Sequence, residues 1–171
     1  MSRITLITGG ARSGKSIYAL RLAAGKPRAC FVATARALDA EMATRIAHHR
    51  ETRPAEFRTI EESVNVVSAL VSLDSSADVI VLDCLTLWIA NLMEIYVADE
   101  PILGEADRLA HAIRSARYDS VVVSGEVGSG IVPENTAARR FRDLLGWTNQ
   151  KIAAVADEVI LMVAGYPVRA K

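Results

Sequence analysis

The stretch ITLITGGARSGKS, residues 4–16, decides the fold class of this 171-residue chain. A short apolar run, typical of a buried strand, leads into a glycine-rich segment and then into the helical pattern SIYALRLAAG. The segment matches G-x-x-x-x-G-K-[ST], in which glycines let backbone N–H groups approach phosphate oxygens without Cβ clashes. We therefore predict a P-loop that binds a nucleotide through Gly9, Gly10, Ala11, Arg12, Ser13, Gly14, Lys15 and Ser16.

Two side chains of this loop have specific roles in the motif, and a third is expected from a neighbouring strand. Lys15 should reach the β- and γ-phosphates, and the Ser16 hydroxyl should ligate Mg²⁺. The run VIVLDC (79–84) supplies a second metal ligand, Asp83, at the carboxyl end of an apolar strand. Asp83 is alternatively the N-cap of a helix that starts near Leu85, and the two roles can coexist.

Short β-rich runs alternate with longer helical patterns along the chain, which predicts one α/β domain over residues 1–171. We expect a P-loop NTPase-like fold with a mostly parallel central sheet and helices on both faces. The region 96–105 is the least defined, as a loop or a domain-edge insertion. The predicted strands are 3–8, 29–34, 79–84, 120–125 and 158–164, and the predicted helices are 15–24, 39–52, 62–73, 85–97, 101–117 and 134–156.

Charge and hydropathy exclude several classes of partner. Lys plus Arg (20) balances Asp plus Glu (20), so no overall field attracts the chain to nucleic acid or to an anionic membrane. The longest hydrophobic stretch, 79–93, contains polar residues, and the N-terminal apolar run is too short for a signal peptide. Cys30 and Cys84 lie in separate apolar runs, as expected for reduced thiols. We expect a soluble, cytoplasmic protein.

The P-loop and the strand-end acid indicate NTP and magnesium without defining the reaction. A GTPase switch would place Asp-x-x-Gly after the metal strand, whereas Asp83 is followed by Cys84, Leu85 and Thr86. The segment TNQKIA (148–153) does not match the Asn-Lys-x-Asp guanine-binding motif. A signalling GTPase is therefore disfavoured.

Two adjacent histidines, His48 and His49, lie in the predicted helix 39–52, with Asp39 as its expected N-cap. The helical period places His49 on an apolar stripe with Leu38, Met42 and Ile46, all expected to be buried. The same period places His48 on a polar face, which makes it the histidine available to a ligand. Its use is left open by the pattern, because a solvated surface histidine is the commoner case.

Six segments together resemble the bifunctional adenosylcobinamide kinase / adenosylcobinamide-phosphate guanylyltransferase family of cobalamin (vitamin B12) biosynthesis. The resemblance runs nearly end to end and is weakest over 62–78 and 94–118. The segments are ITGGARSGKS, FVATA, EMATRIAHHRETRP, VLDCLTLWIANL, GEVGSGIVPENTAARRFRDLLGWTNQKIAAVADEV and MVAGYPVRAK.

This resemblance implies two reactions on one chain, with Mg²⁺ as cofactor and ATP, GTP, adenosylcobinamide and its phosphate as partners. The aminopropanol hydroxyl of adenosylcobinamide takes a γ-phosphoryl group from ATP or GTP. GTP then guanylylates a histidine, and the GMP group passes to the corrinoid phosphate to give adenosyl-GDP-cobinamide. The family's catalytic histidine corresponds to His48, and the family's assembly implies a homotrimer.

By the same resemblance, nucleotide contacts beyond the P-loop are expected from two further segments and two strand-end acids. One position departs from the family, which often has Asn where this chain has Gly125. Glu126 is a candidate for orienting the cobinamide hydroxyl, and ARRFR (138–142) is either a phosphate contact or a solvated helix face. The implied nucleotide contacts are Ala33, Thr34, Ala35, Arg50, Glu51, Thr52, Arg53, Glu61 and Asp83.

Two other functions fit the P-loop on its own. A kinase of another small alcohol would retain Lys15 and Asp83 but would need no covalent nucleotide. A non-enzymatic, nucleotide-binding regulatory module would need only the loop. A covalent guanylyl group on the protein distinguishes the bifunctional enzyme from both.

Overall fold

The computed structural model describes residues 2–51, 54–74 and 76–171, without the side chains of Glu41, Arg45, His48, His49 and Glu51. Strands and helices alternate along most of the described chain. The strands are β1 (Ile4–Gly9), β2 (Ala29–Ala33), β3 (Arg58–Glu61), β4 (Val79–Asp83), β5 (Asp119–Val123), β6 (Glu158–Val163) and β7 (Tyr166–Arg169). The helices are α1 (Lys15–Ala23), α2 (Ala40–Glu51), α3 (Val66–Ser72), α4 (Leu85–Ile95), α5 (Asp99–Ser115) and α6 (Thr136–Val155).

One seven-stranded sheet, in the order β3-β2-β4-β5-β1-β6-β7, forms the centre of the fold. Every neighbouring pair is parallel except the terminal hairpin β6–β7. The inner strands β2, β4 and β5 consist mostly of buried residues, because helices cover both faces of a parallel sheet. The predicted α/β class with a mostly parallel sheet is confirmed, and the parallel alignment brings the carboxyl ends of β1, β2, β4 and β5 to one edge.

Two apolar clusters fill the spaces above and below the sheet. The larger one packs residues of α3, α4, α5 and α6 against one face, and the other packs α1 against the opposite face. Trp88 of α4 is fully buried in the larger cluster, and its Nε1–H donates to the Val64 carbonyl at 3.0 Å. This bond satisfies the indole N–H, as a buried tryptophan requires. No helix in the described ranges is long and apolar enough to cross a bilayer.

The predicted elements differ from the structure at both sheet edges. Strands β3 and β7 were not expected, because their exposed side chains give no apolar run. Helix α3 begins at Val66 rather than at residue 62, since the Glu62 carboxylate accepts the N–H groups of Val64 and Asn65 before the helix begins. Expecting a loop or an insertion at 96–105 was wrong, because α5 begins at Asp99 with Pro101 in its first turn.

Helix α2 begins as its sequence predicts but buries less than expected. Asp39 Oδ1 accepts the Met42 N–H at 2.7 Å, so the predicted N-cap is confirmed. Met42 and Ile46 are only half-buried, and Leu38 is 63% exposed, so the expected burial of this stripe was wrong. No described side chain of α2 is among those that form the two apolar clusters or pack against them. The predicted burial of His49 falls on a side chain outside the described set.

Aspartates hold the strands together at the amino-terminal edge of the sheet. The Asp119 carboxylate accepts the Arg3 N–H at 2.8 Å, and Asp157 accepts the Ile4 N–H at 2.8 Å. Asp78 accepts both the backbone N–H of Arg28 at 3.2 Å and its guanidinium at 2.5 Å. The hydrogen bond from the Arg28 side chain lowers the pKa of Asp78, so the carboxylate is favoured in the folded chain.

We expect Asp78→Asn to lower the free energy of unfolding at pH 7, because it removes the charge that pairs with Arg28. A lowered folded-state pKa stabilises the protein above the unfolded value of about 3.9, and this contribution is lost as pH falls through the folded pKa. The difference in urea midpoint between wild type and Asp78→Asn should therefore shrink below about pH 4. Asp107→Asn, which removes an exposed pair with Lys151, is the control. A difference that stays constant down to pH 2 would contradict the assignment.

Candidate active site

The predicted P-loop connects β1 to α1 at the carboxyl edge of the sheet. Gly9 has φ 146° and Gly14 has φ 93°, conformations that favour glycine. A Cβ on Gly9 would lie 2.6 Å from the Met162 carbonyl oxygen and 2.8 Å from Ser13 Oγ. The loop therefore keeps its course only with glycine at position 9. The Ser13 N–H donates to the Gly10 carbonyl at 3.3 Å, which closes the turn.

Lys15 begins helix α1 and bends back over the loop. Its Nζ donates to the carbonyls of Gly9 at 2.9 Å and Gly10 at 2.6 Å. The first turn of α1 has no acidic residue, and its N-cap Gly14 gives no side-chain hydrogen bond. The positive end of the helix dipole therefore adds to the Lys15 charge, an arrangement suited to phosphate.

Asp83 is the last residue of β4, as predicted, and is half-buried. Helix α4 begins after it with Cys84 as N-cap, and no side chain caps that helix, so the alternative that Asp83 is the N-cap was wrong. The Asp83–Cys84 peptide bond is cis. Burial and the neighbouring Asp83 charge raise the pKa of the Cys84 thiol to about 11, so the thiol is protonated at neutral pH.

Thr34 joins the end of β2 to the beginning of α4. Its fully buried hydroxyl accepts the Cys84 N–H and donates to the Cys84 carbonyl, each at 2.8 Å. The Thr34 carbonyl in turn accepts from Asn91 Nδ2 at 2.9 Å, and the same amide nitrogen donates to the Ser63 carbonyl. Asn91 was not among the predicted site residues. The one sequence signal for it is its position as a polar residue in the otherwise apolar pattern of α4. These bonds fix the predicted segment Ala33–Ala35 beside Asp83.

Arg50 and Glu61, predicted separately, form an ion pair beyond β2. Glu61 is the last residue of β3 and is paired with Ala33 in the parallel ladder. The pair is about half exposed on both sides, so water screens it. It lines a depression of about 600 Å³ whose wall consists of Arg50, Pro54, Ala55, Phe57, Thr59 and Glu61.

The other predicted residues of this region are described only in part. His48 and Glu51 belong to α2 by their backbone, but their side chains lie outside the described set. Thr52 and Arg53 lie outside the described residues altogether. Helix α2 nevertheless carries His48 on the same element as Arg50, two residues before it.

The predicted metal ligands fit a magnesium ion that is held mainly by its nucleotide. Ser16 is the second residue of α1 and Asp83 is the last residue of β4, and both are half-buried at the same sheet edge. A hydroxyl and a carboxylate are oxygen donors, the kind Mg²⁺ prefers, and phosphates and water usually complete its shell. Among the described residues, no group of three His, Cys, Asp or Glu side chains forms a separate metal site.

The segment after β5 lies beside the P-loop. The Glu126 N–H donates to the Gly9 carbonyl at 3.0 Å, and the Glu126 carboxylate accepts the N–H groups of Gly128 at 2.8 Å and Ser129 at 3.1 Å. Partial burial opposes ionisation of this carboxyl, but the Ser129 side chain and these two amides outweigh it and lower its pKa. Glu126 is therefore ionised at neutral pH.

Arg139 and Arg140 of the basic segment at 138–142 are bonded to other parts of the fold, so the expected solvated face was wrong, and the phosphate contact stays a prediction. Arg139 donates to the carbonyls of Pro133 and Glu134, at 2.9 and 2.5 Å, and holds the loop that precedes α6. Arg140 pairs with Asp99 at 2.6 Å and ties α6 to α5. Both guanidinium groups thus have structural partners rather than forming a solvated face.

The fold and the site define a P-loop nucleotide-binding α/β protein. A solved structure titled "Crystal structure of the RadB recombinase" is similar in fold, with a TM-score of 0.52, 21% identity, and 93% of this chain and 73% of that chain covered. At this identity the likeness concerns the fold alone.

The chain belongs to the cobinamide kinase / cobinamide phosphate guanyltransferase family, whose model matches residues 5–170. The bifunctional adenosylcobalamin biosynthesis protein CobU of Salmonella typhimurium is 40% identical, with 97% of this chain and 98% of that protein covered. The protein CobP of Pseudomonas aeruginosa, described in the same words, is 42% identical, with 97% and 96% covered.

We expect Lys15→Ala to weaken Mg²⁺-GTP binding by about 10- to 100-fold, because it removes a charged hydrogen-bond donor to the phosphates. Titration with a fluorescent GTP analogue measures the dissociation constant, and circular dichroism checks the fold. Lys26→Ala, which removes an exposed lysine paired with Asp119, is the matched control. Unchanged affinity in a folded Lys15→Ala protein would show that the triphosphate binds elsewhere.

Proposed function

We propose that this chain carries out both reactions of its family, phosphorylating adenosylcobinamide and then transferring GMP to the product. The main support for this proposal is a complete P-loop with Lys15 and Asp83 at one sheet edge, in a chain that matches the family over residues 5–170. The two steps use groups at different ends of the carboxyl edge of the sheet. A nucleotide triphosphate bound along it can present its γ-phosphorus to one acceptor and its α-phosphorus to another.

In the kinase step, the acceptor hydroxyl oxygen bonds to the γ-phosphorus as the bond to the β–γ bridging oxygen breaks. A nucleoside diphosphate leaves, and the hydroxyl gives up its proton. Lys15 and the amides of the Gly9–Ser16 loop bind the phosphate oxygens and stabilise the charge that develops on them. Ser16 and Asp83 would hold Mg²⁺ together with the phosphates, and the ion would supply positive charge at the transferring group.

In the guanylyltransferase step, a ring nitrogen of His48 bonds to the α-phosphorus of GTP and pyrophosphate leaves. A phosphate oxygen of adenosylcobinamide phosphate then attacks the same phosphorus and releases the histidine, giving adenosyl-GDP-cobinamide. Two displacements replace one difficult transfer, which is the advantage of a covalent intermediate. His48 must be unprotonated to attack, so guanylylation should decline below about pH 6.5.

The region around α2 and β3 is proposed to bind the nucleoside part of GTP. The depression of about 600 Å³ lies there, and the exposed Arg50–Glu61 pair can exchange partners at little cost. Arg50 can turn to a phosphate while Glu61 accepts a donor from the base. The remaining proposed contacts are Ala33, Thr34, Ala35, Glu51, Thr52 and Arg53.

A cytoplasmic homotrimer completes the proposal. The outer face of the β6–β7 hairpin leaves apolar side chains open, with Leu161 opposite Val168 and Val163 opposite Tyr166 in the antiparallel ladder. Tyr166 is 75% exposed and Val163 51%. A continuous exposed apolar face of this kind supports association with another chain.

Sedimentation equilibrium at micromolar concentration tests the trimer. We expect a single species of three times the chain mass. A monomer over the whole concentration range would contradict the assembly without affecting the chemistry proposed for the site.

Incubation with α-labelled GTP and Mg²⁺, followed by denaturation, tests the covalent step. We expect a label that is acid-labile and base-stable, as a phosphoramidate is, with one label or fewer per chain. The label should disappear in His48→Ala and persist in His49→Ala, a matched control one residue away. His48→Ala should retain its kinase activity, because the γ-phosphoryl transfer does not use the histidine.

Wild-type protein that retains no label would contradict the guanylyltransferase assignment and favour a kinase of another alcohol. Loss of label in both histidine variants, with both folded, would contradict the choice of His48. Nucleotide binding without either transfer would indicate the regulatory module instead.

A further inference from the structure

The order of the strands places the end of β5 between the two parts of the phosphate site. Strand β5 lies between β4, which ends in Asp83, and β1, which leads into the P-loop. Asp83 is paired with Val123, and the Ser124 N–H donates to the Ile7 carbonyl at 2.9 Å. The residues that follow β5 therefore lie where the γ-phosphate and its metal must be, between the loop and Asp83.

Gly125, in this segment, is held by side chains from two helices. Its N–H donates to Thr86 Oγ1 of α4 at 2.7 Å, and its carbonyl accepts from Asn149 Nδ2 of α6 at 3.1 Å. The other end of the Asn149 amide accepts the Ser124 hydroxyl at 2.6 Å. We call Thr86 and Asn149 the Gly125 clamp. Both of its side chains approach the backbone between the P-loop and Asp83.

The clamp depends on the absence of a side chain at position 125. A Cβ there would lie 2.9 Å from Thr86 Oγ1 and 3.5 Å from Thr86 Cγ2. The first distance is closer than carbon and oxygen atoms pack, so the threonine would have to turn away and release the Gly125 N–H.

Glu126 follows the clamp directly and is fixed on its other side by the Gly9 carbonyl. Its two carboxylate oxygens each accept one loop N–H, from Gly128 and from Ser129. A carboxylate oxygen has a second lone pair, so each oxygen can accept another hydrogen bond. Because the Glu126 N–H is bonded to the Gly9 carbonyl, this carboxylate belongs to a residue beside the P-loop and can accept a hydrogen bond from a hydroxyl there.

We propose that Thr86 and Asn149 are positioning residues for the kinase step, and that they act through Glu126. By fixing Gly125, they hold the Glu126 carboxylate at the γ-phosphate end of the P-loop, where it orients the acceptor hydroxyl. As the new O–P bond forms, the hydroxyl proton passes to Glu126, and the bridging oxygen leaves with the nucleoside diphosphate. The inference rests on the proposed kinase function.

The positions of the strands indicate that the Gly125 clamp acts in the kinase step and not in guanylylation. The clamp and Glu126 lie at β5, beside the P-loop strand, whereas Arg50, Glu61 and helix α2 lie beyond β2 on the other side of β4. Guanylylation takes place at the α-phosphorus and does not need an oriented corrinoid hydroxyl. Loss of the clamp should therefore slow phosphoryl transfer and leave formation of guanylyl-enzyme unchanged.

The test compares Thr86→Val, which keeps the shape of the side chain but cannot hydrogen-bond to Gly125, with Thr86→Ser, which keeps the hydroxyl. We expect Thr86→Val to lower the kinase kcat by roughly 10-fold, the loss expected for one unmade part-buried hydrogen bond. The KM for nucleotide and the yield of guanylyl-enzyme should stay within about 2-fold of wild type, since nucleotide binding is intact. Thr86→Ser should recover most of the rate.

Thr148→Val is the matched control, because Thr148 is buried on α6 beside Asn149 and its Oγ1 has no hydrogen-bond partner among the described residues. It should leave the kinase rate unchanged. Gly125→Ala is a second route to the same defect, through contact of the added methyl with Thr86 Oγ1. Thermal unfolding of every variant checks that the native fold is retained.

A double-mutant cycle with Glu126→Gln shows whether the clamp acts through that carboxylate. We expect Thr86→Val to have little further effect in the Glu126→Gln background, because the group it positions is already impaired. If the losses of kinase rate in Thr86→Val and Glu126→Gln multiplied in the double variant, the role assigned to the clamp would be overturned. An equal loss of both activities in a folded Thr86→Val protein would overturn it too. If the wild-type protein had no kinase activity, the proposed kinase function would fail, and the role of the clamp with it. If the wild type is active but the variants do not behave as expected, only the role of the clamp fails.

Discussion

The approach of β6 to the P-loop at Gly9 is the contact on which the site depends. The Met162 carbonyl would lie 2.6 Å from a Cβ at this position, so the loop turns there only without a side chain. From that turn, Lys15 reaches back to the Gly9 and Gly10 carbonyls, and Glu126 donates its N–H to the same Gly9 carbonyl. The lysine and the segment after β5 therefore share one backbone group. Displacing Gly9 would move both of them relative to Asp83.

Parallel strand alignment extends this local constraint to the whole edge. Asp83 ends β4, and Thr34 and Gly125 follow the neighbouring strands β2 and β5. Thr34 is hydrogen-bonded to Cys84 and Gly125 to Thr86, two residues that follow Asp83 in the chain. The proposed γ-phosphate end of the site thus consists of buried and half-buried groups that are hydrogen-bonded to one another. At the other end, Arg50 and Glu61 form an exposed pair that water screens. The hydrogen-bonded end is suited to placing the γ-phosphoryl group precisely. The exposed end is suited to a change of partners by Arg50 and Glu61 during the second reaction.

The sequence predicted the parts of the fold that have strong local signals. The P-loop, Asp83 at the end of β4 and the Asp39 cap of α2 follow from motif, apolar run and capping chemistry, and all three are confirmed. Strands β3 and β7 have no such signal, because their mostly exposed side chains form no apolar run.

The long-range contacts of the site could not be predicted from the sequence either, because they have no local signal. Asn149 contacts Gly125 across 24 positions and Thr86 contacts it across 39, and neither side chain differs in its local pattern from an ordinary polar residue in a helix. The ion pair between Arg50 and Glu61 is similar, since each residue was expected at the nucleotide but not at the other. The choice of His48 over His49 stays a prediction, since the described side chains do not include either.

The central claim is that one triphosphate, bound along one sheet edge, serves two different transfers. A crystal structure with a non-hydrolysable GTP analogue and Mg²⁺ tests it most directly. We predict one nucleotide per chain, with its γ-phosphate at Lys15 between Asp83 and Glu126, its metal at Ser16 and Asp83, and its α-phosphate facing helix α2. A nucleotide bound away from the P-loop, or two nucleotides in separate sites for the two reactions, would contradict the account.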